Sequence, residues 1–322
     1  MGKVLLSAYF ASLSPLALLR AIPGSIAQGL IWGLLALGVY ITYKLLDFAD
    51  LSVDGSFATG GAVAVMLIRG NMNPWLSLLF AFAAGMIAGL ITGLLHTKLG
   101  IPPILAGILT QIALYSINLN IMGKSNQAVS VDNYNLPVSL RYVSGDTGTR
   151  IRVFATCILF CVVVVALLYW YFGTEQGHAI RATGCNAQMA RAQGINTNFC
   201  KVLALMLSNG LVGLSGALYA QYQGAADVNM GRGAIVIGLA AVIIGMVLGE
   251  AIIGKRMNFI ARMAFVVAGA IIYYLVITFV LWLGLPSEDM KLFSAIVVAV
   301  FLAVPYLRGK KKSSFRKAGG GR

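Results

Sequence analysis

Charge is what this sequence has least of. Only 11% of its 322 residues are charged, and just 10 are Asp or Glu. A soluble domain carries about 25% charge, because its elements need a face for water. With 59% hydrophobic residues and a mean hydropathy of +0.86, this chain lacks the residues for such faces. An ordinary soluble enzyme or binding domain is thereby excluded. Polar–apolar alternation is scarce as well. Residues 259–284, for example, are apolar nearly throughout. A transmembrane barrel needs that alternation, so membrane-spanning helices remain.

Cysteine and histidine are equally sparse. The four cysteines include no C-x-x-C pair, which gives neither a disulfide framework nor a zinc site. Cys157 and Cys161 lie one helical turn apart in an apolar run, where Cys acts as a small hydrophobe. His96 and His178 have no metal-ligand neighbours in the sequence, so no metal site is expected. A nucleotide site is missing too. Gly123-Lys124-Ser125 mimics the end of a phosphate loop, but Asn118 stands where its first glycine belongs. No cofactor is implied.

Apolar runs are abundant. At about 20 residues per crossing, spans are expected at 4–19, 24–43, 55–68, 74–99, 102–122, 151–172, 201–222, 233–253, 259–284 and 292–307. That makes ten, or nine if residues 4–19 lie in the interface. The first run is read as a retained membrane segment, since no small-residue cleavage site follows it. The whole chain, residues 1–322, reads as one transmembrane domain. With the C-terminus in the cytoplasm, sixteen of the 24 Lys and Arg face inward, as the positive-inside rule requires. Residues 308–322 form a basic cytoplasmic tail suited to anionic headgroups, not nucleic acid.

Small residues recur on helix faces. Gly85, Gly89 and Gly93 share one face, and Gly210, Gly213 and Gly216 repeat in threes. Such faces let helices approach closely in lipid, within one subunit or along a dimer seam. Gly29-Leu30, Tyr40 and Tyr43 followed by an acidic loop are echoed by Gly210-Leu211, Tyr219, Tyr222 and Asp227. The two stretches have opposite orientation, as in an inverted repeat.

Polar residues inside the spans are candidates for a solute path. Gln111, Tyr115 and Asn118 follow one helical face, with Gly107 a turn earlier; Ser208, Asn209 and Tyr219 lie on another span. These groups either line a path or join neighbouring helices. Asp47, Asp50 and Asp54 invite comparison with intramembrane prenyltransferases, which hold magnesium and diphosphate on two Asp clusters. A second cluster is missing here, so Asp47 and Asp50 are expected to be solvated, with Asp54 at a helix N-terminus.

Two connections are long. The outward loop over residues 123–152 carries Lys124, Arg141, Arg150 and Arg152 against Asp132 and Asp146, a surface for an acidic external partner. The inward loop over residues 174–200 reads as two short helices. Thr174 caps the first and Gly184 ends it; Asn186 caps the second and Gly194 ends that. Arg181 and Arg191 flank a small face of Ala182 and Ala190, which suits docking into a groove on a soluble partner.

In this loop Gly177, Ala179-Ile180-Arg181-Ala182, Gly184, Asn186, Met189-Ala190-Arg191 and Gly194-Ile195 make a pattern that resembles the coupling-helix loop of the ABC permeases for branched-chain amino acids, ribose and related solutes. The run Leu46-Asp-Phe-Ala-Asp-Leu-Ser-Val-Asp-Gly-Ser-Phe57 is similar to the signature of a subgroup often paired with binding proteins for aromatic or other amino acids. Cys185 stands where the family pattern has an acidic residue, and Ala49 where it has Pro. The resemblance implies an all-helical, cobalamin-importer-like permease of the bacterial inner membrane. It would work as a homodimer, with an external binding protein and an ATPase subunit that alone hydrolyses ATP. Gly177, Arg181, Ala182, Gly184, Asn186, Ala190, Arg191 and Gly194 would couple it to the ATPase. A secondary carrier or channel without an ATPase is the other reading, and the capped Arg-bearing loop separates the two.

Overall fold

A computed structural model describes residues 15–129, 134–143, 147–254 and 257–283, together with 292, 295, 296, 298–300 and 303. Among them seven helices are long and apolar enough to cross a membrane. Residues 4–14 of the expected first span, most of the last one and the basic tail lie outside the described residues, as do Asp132 and Asp146. The expected gap between the spans at 4–19 and 24–43 does not occur: α1, Pro15–Tyr40, runs through Pro23 and ends in a π-helical turn, Ile41–Leu45. Then come α2 (Val53–Arg69), α3 (Pro74–Thr97), α4 (Pro103–Met122) and a short strand β1 (Asn126–Ala128). The chain continues through α5 (Leu140–Val143), α6 (Thr147–Phe172), α7 (Glu175–Cys185) and α8 (Ala187–Ala192). It closes with α9 (Thr197–Gln223), β2 (Ala225–Asp227), α10 (Ala234–Ile252) and α11 (Phe259–Trp282).

The bundle is built around α9, the long helix with the most enclosed surface after α1. It runs antiparallel to α1: Ser208 Oγ donates to the Gly38 carbonyl, Ser215 Oγ to Ile31, and the Tyr222 hydroxyl to Gly24. Glycine permits the other contacts. Gly85 lies against the Asn209 carbonyl and Gly89 against that of Leu205. The Gly85–Gly89–Gly93 face therefore joins α3 to α9 within one chain. Gly216 lies in the same way on the Phe57 carbonyl of α2. On the perimeter, α3, α4 and α6 expose Leu79, Ile112 and Trp170, an apolar coat that suits lipid.

The bundle has two ends. One carries the two-stranded antiparallel ribbon, in which Asn126 pairs with Asp227; the other carries α7 and α8. Two helices do not run from end to end. α2 has only 17 residues, about 25 Å at 1.5 Å per residue. It starts near the middle of α9 and rises to the ribbon end, where Arg69 donates to Gln127. α10 likewise starts below the ribbon, at Gly233, whose φ of +88° favours glycine.

Candidate functional site

The unwound segment over residues 46–52 comes first, because it places the N-terminus of α2. After the π turn, Asp47 takes a φ of +54° and the chain turns back into the bundle. Gly107 of α4 leaves room for it, since a Cβ there would meet the Leu51 nitrogen at 2.7 Å. Asp50 is 2% exposed and is held by the Ser52 amide (2.9 Å), the Ser52 hydroxyl and Asn209 Nδ2 (2.8 Å). Asp50 is therefore not the solvated carboxylate expected of it. Non-helical backbone at membrane depth is tolerated where protein surrounds it, and these bonds meet that condition.

Asp54 sits in the first turn of α2, but the helix it caps is α10. Its Oδ2 accepts from Gly233 N at 3.0 Å and its Oδ1 from Ile235 N at 2.9 Å. An anion is favoured at the positive end of a helix, and here two helix N-termini converge on it. A cavity of about 340 Å³ opens beside this point, bounded by Asp54, Gln111, Tyr115, Asn118, Asn229 and Arg232. Asn118 is fully buried, and neither its Nδ2 nor its Oδ1 has a partner.

The candidate path residues thus separate. Gln111, Tyr115 and Asn118 share one cavity wall. Ser208 and Asn209 are fully buried and bonded to Gly38 and Asp50, so in this conformation they join helices. Tyr219 packs edge-on to Trp32, ring centroids 5.5 Å apart. Asn229 and Arg232 were not anticipated as cavity residues. They lie on a polar connection after β2, and only its return beneath the ribbon brings them to α4.

At the opposite end α7 and α8 are capped by the residues expected. Thr174 Oγ1 accepts from Gly177 N, and Asn186 Oδ1 accepts from Gln188 N and Met189 N. Gly194, with φ +81°, closes the second helix. Three expectations need correction. Gly184 does not end α7, which runs on to Cys185; it lets α7 lie against the Leu45 carbonyl. Gly177 and Ala190 are buried within the chain, Gly177 against Phe172, so neither presents a surface to a partner. The exposed groups are Arg181, Asn186, Arg191 and Gly194, with Ala182 half-exposed. The Arg181 guanidinium lies 5.4 Å from the Phe259 ring centroid, and Arg191 Nε donates to Thr197 Oγ1 at 2.9 Å. Met189, 62% exposed, is an apolar tip on this polar surface.

The basic residues near the ribbon end are also unequal. Lys124 and Arg152 are exposed, Arg141 is exposed on α5, and Arg150 is half-buried with Nε donating to the Val143 carbonyl at 3.0 Å. Of the histidines, His96 Nε2 meets Lys201 Nζ at 3.1 Å, and its Nδ1 meets the Ile101 carbonyl. Among the described residues no group of acids, His and Cys is placed to hold a metal.

Comparison with known proteins gives a consistent picture. The family described as branched-chain amino acid transport system / permease component matches residues 22–305. The chain is 40% identical to the tyrosine transport system permease protein of Clostridioides difficile, over 90% of this chain and 93% of that one. It is 31% identical to an uncharacterized protein of Rickettsia prowazekii, over 87% and 95%. A fructose import permease protein of Bifidobacterium longum is 27% identical over 78% of this chain and 68% of its own.

Proposed function

We infer the role of this chain from the family to which it belongs, the branched-chain amino acid transport system permeases. It is a membrane-spanning ABC permease. Its solute is an amino acid, with an aromatic one favoured by the likeness to the tyrosine permease. ATP is hydrolysed on a separate ATPase subunit, which seats on α7 and α8. An external binding protein delivers the solute at the ribbon end, where Lys124, Arg141, Arg150 and Arg152 give a basic rim. Two copies form the path between them, with Gln111, Tyr115 and Asn118 on its wall and Ser208, Asn209 and Tyr219 behind. The fold is cobalamin-importer-like with nine or ten spans, set in a bacterial inner membrane with the C-terminus in the cytoplasm. α1–α2 and α9–α10 form an inverted repeat, a reading supported by their antiparallel lead helices and by the two helix starts that meet at Asp54.

The observation that carries this reading is the capped α7–α8 unit, with Arg181, Met189 and Arg191 exposed and Gly184 seated on Leu45. A channel or secondary carrier has no use for such a surface. Its backbone contact at Leu45 joins the docking surface to the residue just before the unwound segment that carries Asp50 and leads into α2. The test is reconstitution into liposomes with the cognate ATPase and binding protein. ATP-dependent uptake of labelled tyrosine is expected. Uptake that proceeds without the ATPase would overturn it.

A further inference from the structure

We propose that the cavity between the start of α2, the α4 face and the connection before α10 is a recognition site for the head group of a free α-amino acid, its ammonium and carboxylate. This rests on the permease reading above and assigns that function to a particular set of atoms.

Asn118 is the first observation. A fully buried amide with no partner for either atom leaves a donor and an acceptor unsatisfied in a wall that faces a cavity. Such groups are costly to bury unless something bonds them. A carboxamide serves a group that both gives and takes hydrogen bonds.

The charges are the second observation. Asp54 and Arg232 border the same cavity. The Arg232 side chain has no carboxylate partner among the described residues. The backbone amides of Gly233, Ala234 and Ile235 address the Asp54 carboxylate, whose two oxygens offer about four acceptor positions, so one is left for another donor. A carboxyl group on one side of the cavity and a guanidinium on another complement a zwitterion. A neutral sugar calls for neither, and a simple anion is opposed by Asp54.

Size and access agree. About 340 Å³ lies at the small end of ligand sites, which span roughly 300–1,000 Å³. The cavity lies in the ribbon half of the bundle, where the binding protein is proposed to release its load. Tyr115 is 45% exposed at its rim and offers a ring face to the solute side chain. The site thus reads the part shared by all amino acids and leaves the side chain toward the open edge.

The test uses full-length permease in nanodiscs, without binding protein, with L-tyrosine observed by saturation-transfer NMR. Binding is expected, with competition by L-phenylalanine and none by N-acetyl-tyrosine, tyrosine amide or fructose. Arg232→Gln and Asn118→Leu should each weaken binding about tenfold or more. Asn118→Leu should keep or raise the thermal unfolding midpoint, because it removes two orphaned polar atoms; a merely structural Asn118 would lower it. Equal binding by both variants, competition by the blocked amino acids, or no tyrosine signal overturns the site. ATP-driven uptake in the reconstituted complex separates the two readings. Normal uptake by both variants rejects the cavity and keeps the permease assignment. No amino acid uptake by the unaltered complex rejects the substrate on which both rest.

Discussion

Asn209 Nδ2 donates to Asp50 Oδ2 at 2.8 Å, joining the middle of α9 to an unwound segment more than 150 positions away in sequence. Ser52 completes the arrangement, donating to Asp50 Oδ1 and to Asn209 Oδ1 (3.2 Å). Asn209→Leu removes one side and leaves a buried carboxylate short of a donor. A loss of about 2–3 kcal/mol is expected, as for hydrogen bonds to charged groups. Thermal unfolding in detergent checks this, and an unchanged midpoint would count against the bond. Asp50→Asn, which keeps the shape, should cost less than Asp50→Ala.

Close helix packing gives the next expectation. A Cβ at Gly60 would overlap the Gly213 carbonyl, and one at Gly216 the Phe57 carbonyl. Because the obstacle in each case is backbone, neither can yield by a rotamer change. Gly60→Ala and Gly216→Ala should each cost about 1–3 kcal/mol or more and lower the yield of folded protein. Gly70→Ala, with only local carbonyls at 3.3 Å and beyond, is the control and should fold normally.

Substitutions on α7–α8 should divide by burial. Arg181→Glu and Met189→Asp alter exposed groups, so folding is expected to be normal while stimulated ATP hydrolysis and uptake fall about tenfold or more. Ala190→Trp is different. Ala190 is 3% exposed, and an indole there must displace the chain, so unfolding should accompany any lost activity. Full transport by Met189→Asp would place the ATPase contact elsewhere.

For the external partner, the exposed Lys124 and Arg152 are the informative sites. Arg150 has a structural bond to Val143. Reversal of Lys124 and Arg152 to Glu should slow binding-protein association at low salt and matter little at high salt, since screening removes steering between exposed charges. Surface plasmon resonance across a salt series reads this directly.

Accessibility distinguishes the two groups of candidate path residues. In a background without the four cysteines, Gln111→Cys and Tyr115→Cys should react with a water-soluble thiol reagent, and reactivity should change when ATP traps the complex. Ser208→Cys, fully enclosed beside Gly38, should stay silent. Labelling of Gln111→Cys by lipid-soluble reagents alone would place that wall against the bilayer.

The helical membrane class, most long helices, both caps of the α7–α8 unit and the Gly85–Gly89–Gly93 face follow from the sequence, because each depends on local pattern. Hydropathy over about 20 residues, an Asn or Thr before a helix, and small residues every fourth position act over a few turns. The same local view mistook Asp50 for a surface group and Gly184 for a helix end. A carboxylate in a loop looks solvated until the loop is seen to re-enter the bundle, and a glycine near a helix end looks like a stop until a neighbouring backbone is found against it.

What the sequence by itself determined is the chain's solvent: with so few charges and such long apolar runs, no folded arrangement leaves it in water. The tertiary structure alone decided where its few polar groups meet. Asp54 bonds the N-cap of a helix 179 positions later, and Asn118 of α4 meets Asn229 and Arg232 of the connection after β2 at one cavity. Hydrogen bonds and charges act over a few ångströms of space, whatever the distance along the chain. The antiparallel packing of α1 on α9 and the short starts of α2 and α10 set those distances.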